Sequence, residues 1–265
     1  MATATDTHPA AGAPEPLTLG GLAIEGSDAA AFLQGYLTSD TEQLIADQGQ
    51  HTALTTLKGR VLANGWAVAR PGGVHLLLAA DLVETVATFL AKYLMFSKSK
   101  SRILSSAELE ATRGTCELAD LPSLEDPLQR QLFEVRLPLV TAPVSDQFLP
   151  QMLGLTALGA VDFSKGCYLG QEIVARAEHR GAVKRTLHAF RASAPAVPQP
   201  TTAPAAGDPV EGGAPQRQVG TIVLADPRSA TDCHLLAVVA ADAVAATDGP
   251  PPTLSMGDWT LTLLP

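Results

Sequence analysis

Residues 162–185 read DFSKGCYLGQEIVARAEHRGAVKR, and they restrict the fold more than any other stretch of the chain. Gly166 and Gly170 bracket a lone cysteine, Cys167, ahead of a segment in which Ile173, Val174 and Ala177 recur at helical spacing. The spacing predicts a helix beginning near Cys167 to Gly170. Glu172 then falls in the first turn and Arg176, His179 and Arg180 in the last, as the helix dipole favours, and Gly181 is placed to close the helix in a left-handed conformation. Backbone N–H groups at such a start stabilise a thiolate, as does a nearby ammonium, so Cys167 and Lys165 are the candidates for chemistry. The competing reading is a buried cysteine acting as a small apolar side chain beside a tight turn. The flanking glycines favour the first, because they let a ligand or a second chain come close.

Composition narrows the rest. A chain of 265 residues that is 46% hydrophobic and 17% charged can bury a sizeable core in one large or two modest domains. A net charge of −9 argues against general binding of nucleic acid. Lys92, Lys98, Lys100 and Arg102 form a local exception, either a solvated helix end or a receiver for an anion. No apolar run reaches membrane-spanning length, and residues 1–16, rich in Ala, Thr and Pro, read as a disordered tail. Cys116, Cys167 and Cys233 are spaced by 51 and 66 residues, which suits neither a disulfide framework nor a cluster held by this chain alone, and points to a reducing cytosol. Cys233 and His234 read as structural.

Taken in order, the chain predicts a strand over 17–24, then a helix carrying Phe32, Leu33, Tyr36 and Leu37. A meander follows over 50–56, 61–70 and 74–78, with Lys58 and Gly59 at a hairpin, and Asp81 opens a second helix. Strands and helices in this order predict an α+β domain over 17–192, with antiparallel sheets and flanking helices. Residues 132–137 are expected to be a strand. Residues 193–207 form a Pro/Ala-rich linker, and 208–265 read as a small C-terminal antiparallel β-barrel.

The string KGCYLGQE, with FLPQMLGLTALGAVDFSKGCYLGQEIVARAEHRGAVKRTL around it, resembles the signature of the YgfZ family of folate-binding proteins. That family is distantly related to the aminomethyltransferase T-protein of the glycine cleavage system. IEGSDAAAFLQGYLTSD, LKGRVLANG and KYLMFSKSK extend the resemblance over most of residues 17–187. It implies an aminomethyltransferase-like fold whose middle subdomain is shortened here, since only about three dozen residues separate Ser97 from Phe133. It implies tetrahydrofolate as cofactor, with Glu134 in the place of the acid that contacts the pterin, although Val135 and Arg136 replace the small residues that follow it. Tyr168, Gln171, Glu172 and Lys98 complete the expected folate contacts.

The resemblance further implies a folate-dependent accessory to the assembly or repair of iron–sulfur proteins, tRNA-modifying enzymes among them. Its partners are then iron–sulfur clients or assembly proteins, with no direct nucleic acid and no membrane, and its compartment the cytoplasm. A tetrahydrofolate-dependent aminomethyl transferase and a folate-free protein-interaction module are the alternatives. A cysteine hydrolase is disfavoured, because His179 lies about 18 Å from Cys167 along a helix and the other histidines occupy no nucleophile motif.

Overall fold

In a computed structural model, the structure describes residues 16–115, 117–118, 126–181, 183–197, 200, 202–245 and 253–265. Cys116, nearly all of the expected tail and part of the expected linker lie outside the described residues.

The first sheet is built from β1 (Leu19–Glu25), β2 (Gln48–Thr55), β3 (Val61–Arg70), β4 (Gly73–Ala79), β5 (Lys100–Ile103) and β6 (Glu117–Leu118). Its order is β5-β1-β4-β3-β2-β6, antiparallel throughout except for the β2–β6 pair. Both faces are covered, which explains why β3 and β4 read as nearly continuous apolar runs. One face, carrying Ala63, Ala67, Leu76 and Leu78, packs on α1 (Ala29–Gln34), α2 (Val83–Leu94), segment 140–163 and Val174 of α5 (Gln171–Arg180). The other face, carrying Trp66, Val68, Leu77 and Ala79, packs on α4 (Leu128–Glu134) and on Ala189, Leu224 and Leu236.

The remaining strands, β7 (Arg185–Ser193), β8 (Pro209–Gly212), β9 (Arg217–Ser229), β10 (Asp232–Ala240), β11 (Leu254–Met256) and β12 (Trp259–Leu263), close into a barrel in the order β10-β7-β12-β11-β8-β9. Phe190, Leu235 and Ile222 fill its core. The barrel therefore starts at Arg185 and not at residue 208, because β7 pairs with β10 along its length and with β12 over Phe190 to Ser193. The stretch expected to be a linker is a loop within the barrel, and its described parts are tied down: Trp259 donates to the Thr202 carbonyl and Gly207 to that of Ile222.

The other corrections are local. Residues 128–134 are helical where a strand was expected over 132–137. The alternation of Phe133, Glu134, Val135 and Arg136 mimics a strand, but Leu128, Leu132 and Phe133 share one helical face against Trp66, and that burial decides. The middle segment contains α3 (Ser106–Thr115) before β6.

Trp66 is fully buried at the centre of the second face, with its ring 5.4 Å from that of His51. Trp66→Ala should therefore destabilise the fold by about 3–5 kcal/mol, read as a lower urea midpoint with little change in slope.

Candidate functional site

The loop from Asp162 to Gly170 is built by backbone geometry before any side chain acts. The Asp162 carboxylate accepts hydrogen bonds from the Ser164 and Lys165 amides at 2.7 and 3.2 Å, turning the chain. At the far end, Thr55 Oγ1 donates to the Leu169 carbonyl at 2.5 Å and the Leu169 amide donates to the Gly35 carbonyl at 3.0 Å. Gly170 has φ of +84°, and a Cβ there would stand 2.3 Å from the Thr56 carbonyl oxygen. A Cβ on Gly59 would likewise meet Ile173 at 2.9 Å. Two separate sequence motifs, the hairpin turn LKGR and the helix start GQE, thus meet glycine to helix, which requires glycine at both positions.

Between these anchors Lys165 is buried, 8% exposed, and its Nζ donates to the carbonyls of Gln34, Leu37 and Ser39 at 2.8, 2.7 and 2.8 Å. Its three protons are thus spent on three backbone acceptors, and no hydrogen bond joins it to Cys167 among the described residues. Lys165 is a clamp holding the Cys167 loop to the end of α1, where the sequence suggested a partner for the thiolate. Burial pulls its ammonium down to about 8, opposed by Asp40, Asp162 and Glu42.

Cys167 is exposed. It lies in the loop, four residues ahead of Gln171, the first residue of α5. The helix begins at the late end of the range the sequence predicts, with Gly170 as its left-handed N-cap. Gly181 is extended, with φ of −112°, and not left-handed. Tyr168 is buried beneath the loop with its ring centroid 5.4 Å from Lys165 Nζ, its phenol pushed up to about 12 by burial, and its hydroxyl has no hydrogen-bond partner among the described residues. Cys233 is the contrasting thiol: burial in the barrel pushes it up to about 12 and leaves it inert.

Of the residues expected to contact folate, Tyr168, Gln171 and Glu172 lie together at the start of α5, whereas Glu134 lies apart from them. Glu134, on α4, is 63% exposed and accepts from Arg228 at 3.1 Å on the face of the sheet opposite the Cys167 loop. Arg228 also stands 2.6 Å from the buried Asp226, whose carboxyl is pushed above the usual range by burial against the pull of Arg228. Arg136 lies over the Phe133 ring at 4.8 Å and donates to Pro265. Lys98 is exposed at the end of α2, where its amide and the hydroxyls of Ser97 and Ser99 donate to Asp28. Glu172 is an exposed helix-surface partner of Arg176 at 2.8 Å, and Gln171 opens α5. Among the described residues, His51, His75, His179, His188 and His234 lie against Trp66, Thr112, Phe163, Thr186 and Phe133. No group of three His, Cys, Asp or Glu side chains fit to hold a metal occurs among the described residues.

Two clefts run between the sheet domain and the barrel. One, of about 510 Å³, is lined by Leu17, Asp81, Gln129, Thr141, Val223 and Ala225 among others and has no cationic side chain in its wall among the described residues. The other, of about 520 Å³, has Arg60, Lys184 and Arg185 over Phe148 and Met152. Both fall in the size range of small-molecule sites. None of the expected folate residues lines either one. Sequence reasoning missed the Lys165 clamp and the Gly59–Gly170 approach. The available signal was the repetition of a Lys-Gly pair, at 58–59 and at 165–166, in segments far apart along the chain.

Lys165→Met would leave three inward carbonyls without donors and should destabilise the fold by about 3 kcal/mol. The same clamp predicts a pH effect. Between about 8 and the ordinary lysine value of 10.5, the unfolded chain keeps a proton that folded Lys165 has released, so this group's contribution to stability rises with pH across that window. Urea unfolding over pH 7 to 10 should show that component in the parent and lack it in Lys165→Met.

No protein-family model matches the chain. The "tRNA-modifying protein YgfZ" of Yersinia pestis (strain Pestoides F) is 29% identical over 278 aligned residues, covering 82% of this chain and 82% of the relative. The protein of the same name from Escherichia coli O45:K1 (strain S88 / ExPEC) is 30% identical over 279, covering 82% of this chain and 84% of the relative. Among solved structures, the glycine cleavage system aminomethyltransferase T from Bartonella henselae superposes with a TM-score of 0.62 at 15% identity, over 93% of this chain and 82% of that one. The fold is thus aminomethyltransferase-like, and with the KGCYLGQE loop and this extent of similarity the chain belongs to the YgfZ family.

Proposed function

We propose that the protein is an accessory factor for the assembly or repair of iron–sulfur proteins, including a tRNA-modifying enzyme, and that Cys167 is the group it offers to them. One observation carries this reading: an exposed thiol stands on a loop fixed at both ends by buried hydrogen bonds. A soft sulfur so presented donates a lone pair to an iron held by a partner, its proton passing to water as the sulfur binds. A cluster generally takes four thiolates, so one cysteine leaves it mainly on the client. The relatives are named for tRNA modification, which supports a client in that process. The thiol stays free in a reducing compartment, and we place the protein in the cytoplasm on that ground. No helix among the described residues is long and apolar enough to cross a membrane.

Tetrahydrofolate is the cofactor the resemblance implies, but the residues expected for it do not fit one. Glu134 is committed to Arg228 on one face of the sheet, while Tyr168, Gln171 and Glu172 lie on the other and Lys98 points to solvent beyond α2. No step here runs through folate. The aminomethyl-transferase reading needs free acids in a cavity, whereas Glu134 and Asp226 share the guanidinium of Arg228.

Cys167→Ser should fold as the parent does and fail to restore the modified nucleoside in cells lacking their own YgfZ, measured by mass spectrometry of digested tRNA. Full restoration would remove the thiol from the mechanism. Glu134→Gln and Lys98→Ala should leave the calorimetric heat of tetrahydrofolate addition as it is in the parent. A loss of binding in either variant would show that these side chains do meet a pterin or its tail.

A further inference from the structure

Helix α2 carries two apolar stripes. Val83, Val86, Leu90 and Leu94 face the core. Phe89 and Tyr93, at i and i+4, form a second stripe along the edge of the core, against which Phe89 packs, and Phe96 follows them in the turn after the helix ends at Leu94. Phe89 and Tyr93 are half-buried, their centroids 5.7 Å apart, and Tyr93 continues at 4.8 Å onto Tyr36, which lies 4.8 Å from Phe32 on α1. Beyond this ladder Met95 and Phe96 are bare, 77% and 88% exposed. Large apolar side chains grouped in this way mark interaction surfaces.

The rim is basic. Lys92, Lys98 and Lys100 are exposed and have no ion-pair partner among the described residues, whereas Arg102 is held by Glu25 and Glu108. On a protein of net charge −9, this local excess of cations is complementary to an acidic partner. Nucleic acid fits less well: the ladder rings pack against one another at a tilt of 36 to 38° and present no flat row of faces for bases, and the remaining surface repels phosphate. The patch also adjoins the thiol loop. Lys165 donates to Gln34 and Leu37 and Leu169 to Gly35, so the residues on either side of Tyr36 are those that hold the Cys167 loop in place.

We propose that this face docks a partner protein through an acidic segment bearing apolar side chains, with Phe96 and Met95 as anchors and Lys92, Lys98 and Lys100 as the rim. The inference rests on the Cys167 reading, since the docked partner is the one the thiol serves.

The probe is a fluorescein-labelled amphipathic helical peptide with Glu on its polar face and Leu on its apolar face. The same peptide with Lys in place of Glu and a single-stranded RNA oligonucleotide are the comparisons. Anisotropy should show saturable binding of the acidic peptide, weakened about tenfold or more by Phe96→Asp and by the pair Lys92→Glu and Lys98→Glu. Absence of saturable binding, binding indifferent to Phe96→Asp, or tighter binding of RNA than of the acidic peptide overturns the proposal. In cells, Phe96→Asp should fail to restore tRNA modification while its Cys167 alkylates at the parental rate. Rescue by Phe96→Asp sinks the docking face and leaves the thiol reading in place. Rescue by Cys167→Ser, with peptide binding still lost in Phe96→Asp, does the reverse.

Discussion

The Lys165 ammonium and the three carbonyls it donates to hold the rest of the site in register. An isolated buried cation is costly, and it persists because each proton has an acceptor at hydrogen-bond distance. The consequence is geometric. The end of α1, which would otherwise leave the carbonyls of Gln34 and Leu37 facing the interior, is closed by a side chain from the loop that carries Cys167. Gly170 and Gly59 then fix the other side of that loop against the β2–β3 hairpin. A cysteine between these two anchors is exposed yet positioned, which separates Cys167 from an incidental surface thiol.

That arrangement also changes what the family resemblance means for this chain. The sheet is covered on both faces, with α4 and the barrel on one and the Cys167 loop and α5 on the other. Glu134 and Cys167 therefore lie on opposite sides of a packed layer. Trp66, Leu132, Phe133 and Leu137 pack together on the face where α4 lies. The aminomethyltransferase-like scaffold is kept here, while Glu134, expected from the resemblance to meet a pterin, is engaged with Arg228.

Much of the fold was legible in the sequence. Strands β1 to β4, α2 and the late barrel strands followed from alternation, turn residues and helical spacing. Errors arose where tertiary contacts overrode a local pattern. The run from Phe133 to Arg136 alternates like a strand, but Leu128, Leu132 and Phe133 gain more by burying one helical face on Trp66. Strand β7 precedes the Pro/Ala-rich stretch in sequence but is paired on both edges inside the barrel. At the site, Cys167 is exposed, as a presented thiol requires, whereas Lys165 is hydrogen-bonded to carbonyls and not placed as expected. A lysine two residues from a cysteine reads as its counter-ion, and nothing local shows that its long side chain finds carbonyls more than a hundred residues earlier in the chain.

The central claim is that Cys167 is presented to other molecules while the loop around it stays ordered. Alkylation of the native protein by iodoacetamide, followed by peptide mass spectrometry, tests this directly. The account predicts rapid modification at Cys167 with no loss of the folded state and no modification at Cys233 until the protein is unfolded. Protection of Cys167 in the native protein, or labelling of Cys167 only as fast as global unfolding, would contradict it.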